Sequence, residues 1–305
     1  MKEITIIGGI NIDIEGSPHK PLVPEDSNPG RIRISFGGVG RNITENVARA
    51  GGSAAMISVV GDDHMGQNAV RHLEGLGVET GGIETISGRN SSMYLSVLNH
   101  DHDMAMAISD MDILEELTMA NLQRHSRLLL ESKAIALDGN LAEDLLEQST
   151  AWLAEEGKKL FFDPVSANKA EKAKSCIGRF YAIKPNRIEA EVLSGISIET
   201  EADLSRAAEW FRQQGVEQVF ITLNKEGVYY CDSRKEGIIR PGRVNLVSAT
   251  GAGDSFSAMI LLGIAEEMDI EYTARMGMAA SSVAMESHAA VNQNINREEI
   301  LRRMR

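Results

Sequence analysis

The stretch Val247-Ser248-Ala249-Thr250-Gly251-Ala252-Gly253-Asp254-Ser255-Phe256 runs into a small-residue, apolar segment at 257–265, and its local order reads as strand, glycine turn, helix. Small residues in such a turn let the backbone lie close to a ligand, and the outward amides of a helix start attract an anion. The amides of Gly251, Ala252 and Gly253 can therefore hold phosphoryl oxygens. Asp254 has two readings, a helix N-cap or a base set against that anion site. The positive helix end would keep its carboxylate ionised.

Around this stretch the chain alternates. Residues 54–60, 134–137, 159–162, 181–183 and 219–222 read as buried strands. Between them, Met65/Ala69/Leu73/Leu76, Leu145/Leu146/Leu153 and Leu204/Ala207/Ala208/Phe211 have helical spacing. Such alternation predicts a mainly parallel sheet covered by helices. Two stretches break the rhythm. Residues 14–36 carry four prolines and then alternate as Arg31-Ile32-Arg33-Ile34-Ser35-Phe36; residues 91–109 read as two strands about a turn at 99–103. Together they predict a small β lid inserted in a single domain spanning 1–305.

Composition narrows the function classes. The 305 residues include 31 basic and 44 acidic side chains, a net charge of -13, and no basic run is denser than Arg302-Arg303-Met304-Arg305. A nucleic-acid partner is not expected. No apolar run reaches the ~18 residues of a membrane span, and a cytoplasmic location is expected. Cys176 and Cys231 stand apart, without neighbours at metal spacing, and read as reduced thiols.

Further motifs cluster chemistry. After the buried run at 4–7 comes Gly8-Gly9-Ile10-Asn11-Ile12-Asp13, which puts Asn11 and Asp13 on one side of an extended segment, as a polyol ligand requires. Phe36-Gly37-Gly38-Val39-Gly40-Arg41-Asn42 enters a helix, with Gly38 against a ligand and Asn42 placed to hydrogen-bond it; Arg41 reads as a solvated charge at the helix start. This loop lacks the Gly-x-Gly-x-x-Gly spacing of a dinucleotide site. In Lys184-Pro185-Asn186-Arg187-Ile188-Glu189, Asn186 and Glu189 can hold water on Mg²⁺ or form an ordinary capping box. Thr222-Leu223-Asn224-Lys225-Glu226-Gly227 reads as a strand-to-strand turn, suited to a nucleotide or to a plain hairpin.

In order and spacing, Gly37-Gly38 before Asn42, Lys184-Pro185-Asn186 with Glu189, and Thr250 to Asp254 resemble the ribokinase (pfkB) family of carbohydrate kinases. The resemblance implies a three-layer α/β/α sandwich with a β lid, and ATP and Mg²⁺ as cofactors. It implies that Asp254 is the catalytic base and that Gly251, Ala252 and Gly253 form the anion hole. Asn11, Asp13, Gly38 and Asn42 match the ribose site, and Asn186, Glu189, Thr222, Asn224 and Gly227 the nucleotide and metal motifs; Asn224 stands where many members have glycine. A K⁺ site near Ser248, Thr250 and Ser287 and a homodimer through the lid are implied too, although Ser248 replaces a common Asp. Asp26-Ser27-Asn28-Pro29-Gly30, Asp163-Pro164-Val165-Ser166-Ala167 with Lys169, Ser91-Ser92-Met93-Tyr94 and Ile108-Ser109-Asp110-Met111 are similar to the members that phosphorylate the 5′-hydroxyl of pseudouridine. Ser92, Tyr94, Asp110 and Lys169 are then candidates to contact the base or other polar groups. Another nucleoside or sugar as acceptor, or a non-catalytic nucleoside-binding protein, are the alternatives.

Overall fold

Nine strands form the main sheet, and a computed structural model describes residues 3–101, 103–242 and 245–304 of the chain. His102, in the expected lid turn, and Arg305, in the basic run, lie outside the described residues. The strands in chain order are β1 (Ile4–Ile7), β2 (Asn11–Pro18), β3 (Gly30–Gly37), β4 (Ala54–Gly61), β5 (Glu79–Ile86), β6 (Met93–Leu98) and β7 (Met104–Asp110). They continue as β8 (Ala134–Asp138), β9 (Lys159–Asp163), β10 (Ala182–Ile183), β11 (Gln218–Thr222), β12 (Val228–Cys231) and β13 (Glu236–Ile239). The helices are α1 (Val39–Arg49), α2 (His64–Gly75), α3 (Met119–Arg124), α4 (Ser126–Glu131), α5 (Glu143–Glu155) and α6 (Ala167–Ala170). After them come α7 (Arg187–Ser194), α8 (Glu201–Gln214), α9 (Ala252–Ala265), α10 (Ile270–Ala284) and α11 (Arg297–Arg303).

The main sheet runs in the order β13-β12-β11-β10-β9-β8-β1-β4-β5. Only β12 and β13 run antiparallel to their neighbours. Alternating side chains feed two cores: Ile4, Ile6, Phe161 and Phe220 pack with α1, α2, α9 and α10, whereas Ile7, Leu160, Phe162 and Ile221 pack with α5, α7 and α8. Because both faces are covered, the central strands are continuous apolar runs. The helical spacings hold, for Leu204, Ala207, Ala208 and Phe211 of α8 are all buried.

One local expectation fails. Residues 247–249 form no strand: the amides of Val247 and Ser248 both donate to the Met285 carbonyl (2.8 and 3.1 Å), so the end of α10 replaces a ladder partner. The glycine turn is thus reached from extended coil.

The second sheet has the order β3-β2-β6-β7. In register, Ile14 faces Ile34 and Leu95, and Leu95 faces Ile108, so one side of this sheet is apolar. Asn11, Asp13 and Tyr94 alternate onto the other side.

Candidate active site

The chain reverses direction across the sheet at β1, which has β4 on one flank and β8 on the other. In open α/β sheets the crevice at the carboxyl ends of the strands beside such a switch is where ligands bind. Charged and amide groups gather there. Asp138 ends β8, Asp163 ends β9, Lys184 follows β10, and the start of α9 closes over them.

Asp138, fully buried, knots the crevice floor. Its Oδ2 accepts from the amides of Gly9 (3.0 Å) and Gly40 (2.9 Å), and its Oδ1 from Asn140 (2.8 Å). Burial raises its pKa, and these amides oppose the rise. The knot sets Gly38 and α1 against the Gly8-Gly9 turn. A Cβ at Gly38, whose φ is 91°, would lie 2.4 Å from the Gly9 carbonyl oxygen, so only glycine fits.

Asp254 is the third residue of α9, not its cap, and its Oδ2 accepts from the Asn42 side-chain amide at 2.7 Å. It is half-buried at the bottom of the crevice. Loss of hydration, then repulsion from Asp163, pushes its pKa up to about 7, against the pull of Asn42 and Lys184. The expected ionisation by the helix end is therefore outweighed by burial. Gly251, at φ 77°, starts the helix, and a Cβ there would fall 1.7 Å from the Ala290 carbonyl oxygen. Of the three expected anion-hole amides, that of Ala252 turns back to the Ala249 carbonyl at 3.3 Å.

Lys184 Nζ lies 3.3 Å from Asp163 Oδ2, and 3.4 Å from where a Cβ of residue 253 would stand, above the first turn of α9. Burial alone would depress this ammonium, but Asp163, Glu189 and Asp254 hold its pKa above the ordinary lysine value. Asp163 also accepts from Ser257 Oγ (2.6 Å), which ties β9 to α9.

Asn186 and Glu189 form the capping box in full: Glu189 N–H donates to Asn186 Oδ1 (2.9 Å) and Asn186 N–H to Glu189 Oε2 (2.8 Å). Glu189 is buried, and desolvation raises its pKa. A parallel bridge sets Asn186 beside Thr222, so the two motifs expected to hold the nucleotide share one end of the sheet. Asn224 has φ 52°, a conformation in which asparagine is among the few tolerated substitutes for glycine. Gly227, at φ 109°, completes that turn.

Asn11 and Asp13 lie on one side of β2, and Asn11 donates its side-chain amide to Asp13. Burial raises the Asp13 pKa. Asn11 Oδ1 and Ser92 Oγ are buried oxygens without a partner among the described residues, positions where a ligand's donor would be welcome. Lys169 Nζ donates to Asn140 Oδ1 (2.5 Å) at the crevice edge. Tyr94 and Asp110 do not join this cluster: the Tyr94 hydroxyl donates to Met104 Sδ (3.5 Å) within the second sheet, and Asp110 is exposed at the end of β7. Ser248 Oγ and Ser287 Oγ accept from the amides of Thr250 (3.1 Å) and Ala289 (3.0 Å), and both segments pack near the glycine turn.

Arg41 is not a solvated charge. It is 3% exposed, paired with Glu45 (2.9 Å), and donates to Asn42 Oδ1 at 2.7 Å. Its placement one residue before Asn42 on α1 turns it inward, where Glu45 one helical turn on compensates it. Sequence reasoning also missed Asp138, Asn140, Asp163 and Lys184 as site residues. A legible signal existed for three of them: Asp138, Asp163 and Lys184 each end an apolar buried run, where an unpaired charge is rare.

Known proteins resemble this chain in sequence and in fold. The pfkB family carbohydrate kinase description covers residues 1–297. Escherichia coli pseudouridine kinase is 35% identical over 296 residues, 96% of this chain and 93% of its own. Guanosine-inosine kinase from Exiguobacterium acetylicum is 29% identical, over 94% of this chain and 95% of its own. A candidate sugar kinase from Clostridium perfringens superimposes with a TM-score of 0.92 at 30% identity, covering 100% of this chain and 96% of that one. By family match and by fold, the chain belongs to the pfkB family of carbohydrate kinases.

Proposed function

We propose that this kinase transfers the γ-phosphoryl group of ATP to the 5′-hydroxyl of pseudouridine. The observation that carries the reaction type is Asp254, a carboxylate with a pKa pushed up to about 7, set against the first turn of α9 and the Lys184 ammonium. A base of that strength is matched to deprotonating an alcohol near neutral pH. Asp254 accepts the hydroxyl proton as the oxygen attacks the γ-phosphorus, the bond to the β-phosphate oxygen breaks, and ADP leaves. Lys184 and the helix-start amides of Gly251 and Gly253 offset charge on the moving group. Likeness to Escherichia coli pseudouridine kinase supports the acceptor.

Asn11, Asp13, Gly38 and Asn42 bind the ribose, Asn11 Oδ1 and Ser92 Oγ gaining the donors they lack. Lys169, at the crevice edge with Asn140, and Tyr94 and Asp110 on the second sheet are the candidates for contact with the base. Thr222, Asn224 and Gly227 hold the nucleotide. Among the described residues no three carboxylates, histidines or cysteines converge as a metal cage. Glu189, buried beside Asn186, would hold Mg²⁺ through a water, and the ion would neutralise phosphate charge. Neutral oxygens near Ser248, Thr250 and Ser287 suit K⁺, and equal rates in sodium and potassium would remove that assignment. The second sheet acts as a lid, and its apolar side pairs with a second copy of the chain.

The ³¹P spectrum of a reaction with ATP and pseudouridine tests the chemistry. A phosphomonoester triplet, from coupling to two C5′ protons, is expected; a doublet would place the phosphate on a secondary hydroxyl and overturn the 5′ assignment.

A further inference from the structure

Arg41 and Glu45 form a buried pair that the phosphoryl-transfer chemistry above leaves unused. Both are 3% exposed, one turn apart on α1 beside the crevice. Burying two charges costs free energy that a surface pair would avoid, and is retained where geometry is needed. Arg41 Nη1 meets Glu45 Oε2 at 2.9 Å, while Glu45 Oε1 accepts from Arg49 Nε at 2.7 Å and His72 Nε2 lies 3.1 Å from Oε2. Glu45 is thus held by three cationic or imidazole groups and cannot swing away from Arg41. Arg41 Nε has no partner among the described residues, so Glu45 and Asn42 alone orient the guanidinium.

The consequence lies at Asn42. A guanidinium only donates, so the group it meets must be an acceptor. Arg41 Nη2 donates to Asn42 Oδ1 at 2.7 Å, which forces the amide nitrogen to the opposite side, where it donates to Asp254 Oδ2 at 2.7 Å. A reversed amide would turn its oxygen to the carboxyl group and accept from the protonated acid instead. We infer that Arg41 is a positioning residue for phosphoryl transfer: anchored by Glu45, it locks the Asn42 amide so that its N–H₂ group always faces Asp254 and favours the ionised base. The inference rests on reading Asp254 as the base. Besides the Asn42 amide, the groups that bear on Asp254 are Asp163 from β9 and Asp138 from β8, which favour protonation, and Lys184 after β10 and the Arg41 charge itself, which favour ionisation.

The test is the titration of Asp254 by ¹³C NMR in protein labelled at the aspartate carboxyl carbon, assigned with Asp254→Asn. The variants are Arg41→Met, Asn42→Ala and both together, with unfolding midpoints measured alongside; Arg41→Leu, which also lacks a donor, gives the same comparison if Arg41→Met does not fold. Arg41→Met is expected to raise the Asp254 pKa by about one unit, and Arg41→Lys, still a pure donor, to recover at least half of that rise. In the Asn42→Ala background the Arg41→Met effect should shrink to the smaller direct effect of the Arg41 charge, because the larger part acts through the amide. An unchanged titration in Arg41→Met, or effects that simply add in the double variant, would overturn the inference, the latter showing that Arg41 acts by charge alone. The kinetic reading is separate: if the wild type phosphorylates no nucleoside while the coupling in the titration holds, the proposed function fails and the positioning role stands.

Discussion

On the proposed mechanism, Asp254 sets the pH dependence. An acid whose folded pKa is raised to about 7 is protonated, and inactive as a base, below that pH, so kcat/KM is expected to rise through pH 7 and level off above pH 8. A profile flat from pH 6 to 8 would argue against Asp254 as the base. Asp254→Asn is expected to lower kcat by ~10² to 10⁴ with little change in nucleoside affinity. Its stability should move the other way. A raised folded pKa stabilises the fold at acid pH, and that contribution is lost as pH rises through 7, where the desolvated carboxylate must carry its charge. Removing the charge should therefore raise the melting temperature at pH 8 by ~2 °C or more and have a smaller effect at pH 5. At this scale the sequence was legible where a residue type is tied to a backbone feature, as at Gly38, Gly251 and the Asn186–Glu189 capping box. It was not legible at Arg41, because a charge at a helix start looks the same whether it turns to water or to a buried partner three or four residues on. The ionisation of Asp254 was misjudged for a related reason: a helix end is local in sequence, whereas Asp163, 91 positions earlier in the chain, is a tertiary neighbour.

At the scale of elements, the glycine turn couples α9 to the segment after α10. Gly251→Ala has to resolve both a positive φ and a 1.7 Å approach to the Ala290 carbonyl oxygen. We expect it to cost about 2 kcal/mol or more in urea unfolding, and to reduce kcat more than nucleoside affinity, since the start of α9 shifts while the α1 loop stays. A variant of wild-type stability and turnover would show that the turn tolerates a side chain. The strands of the sheet's centre were readable because burial on both faces leaves uninterrupted apolar runs. The edge strand β5, Glu-Thr-Gly-Gly-Ile-Glu-Thr-Ile, was not, since one flank and much of its surface meet solvent and its charges break the pattern. Residues 247–249 gave the opposite error, an apolar approach to a turn that found a carbonyl rather than a neighbouring strand.

For the whole molecule, the second sheet presents Ile32 (75% exposed), Ile34 (54%), Met106 (62%) and Ile108 (65%) on one side. An apolar patch of that kind marks an interaction surface, and its self-pairing would shield four strands at once. Sedimentation velocity should then give a dimer for the wild type and a monomer for Ile108→Glu, whereas a monomeric wild type would refute the lid-paired assembly. The three-layer architecture follows from the alternation of apolar runs and helical spacings, but the convergence of Asp138, Asp163 and Lys184 at one sheet end depends on strand order, which no local pattern encodes. The proposed substrate choice belongs to this same scale. The most direct measurement is ATP consumption by the purified protein with pseudouridine, uridine, guanosine, adenosine and ribose offered separately in Mg²⁺ and K⁺. The expected result is a kcat/KM for pseudouridine well above that for uridine, its N-glycosidic isomer; a preference for guanosine, adenosine or ribose would contradict it.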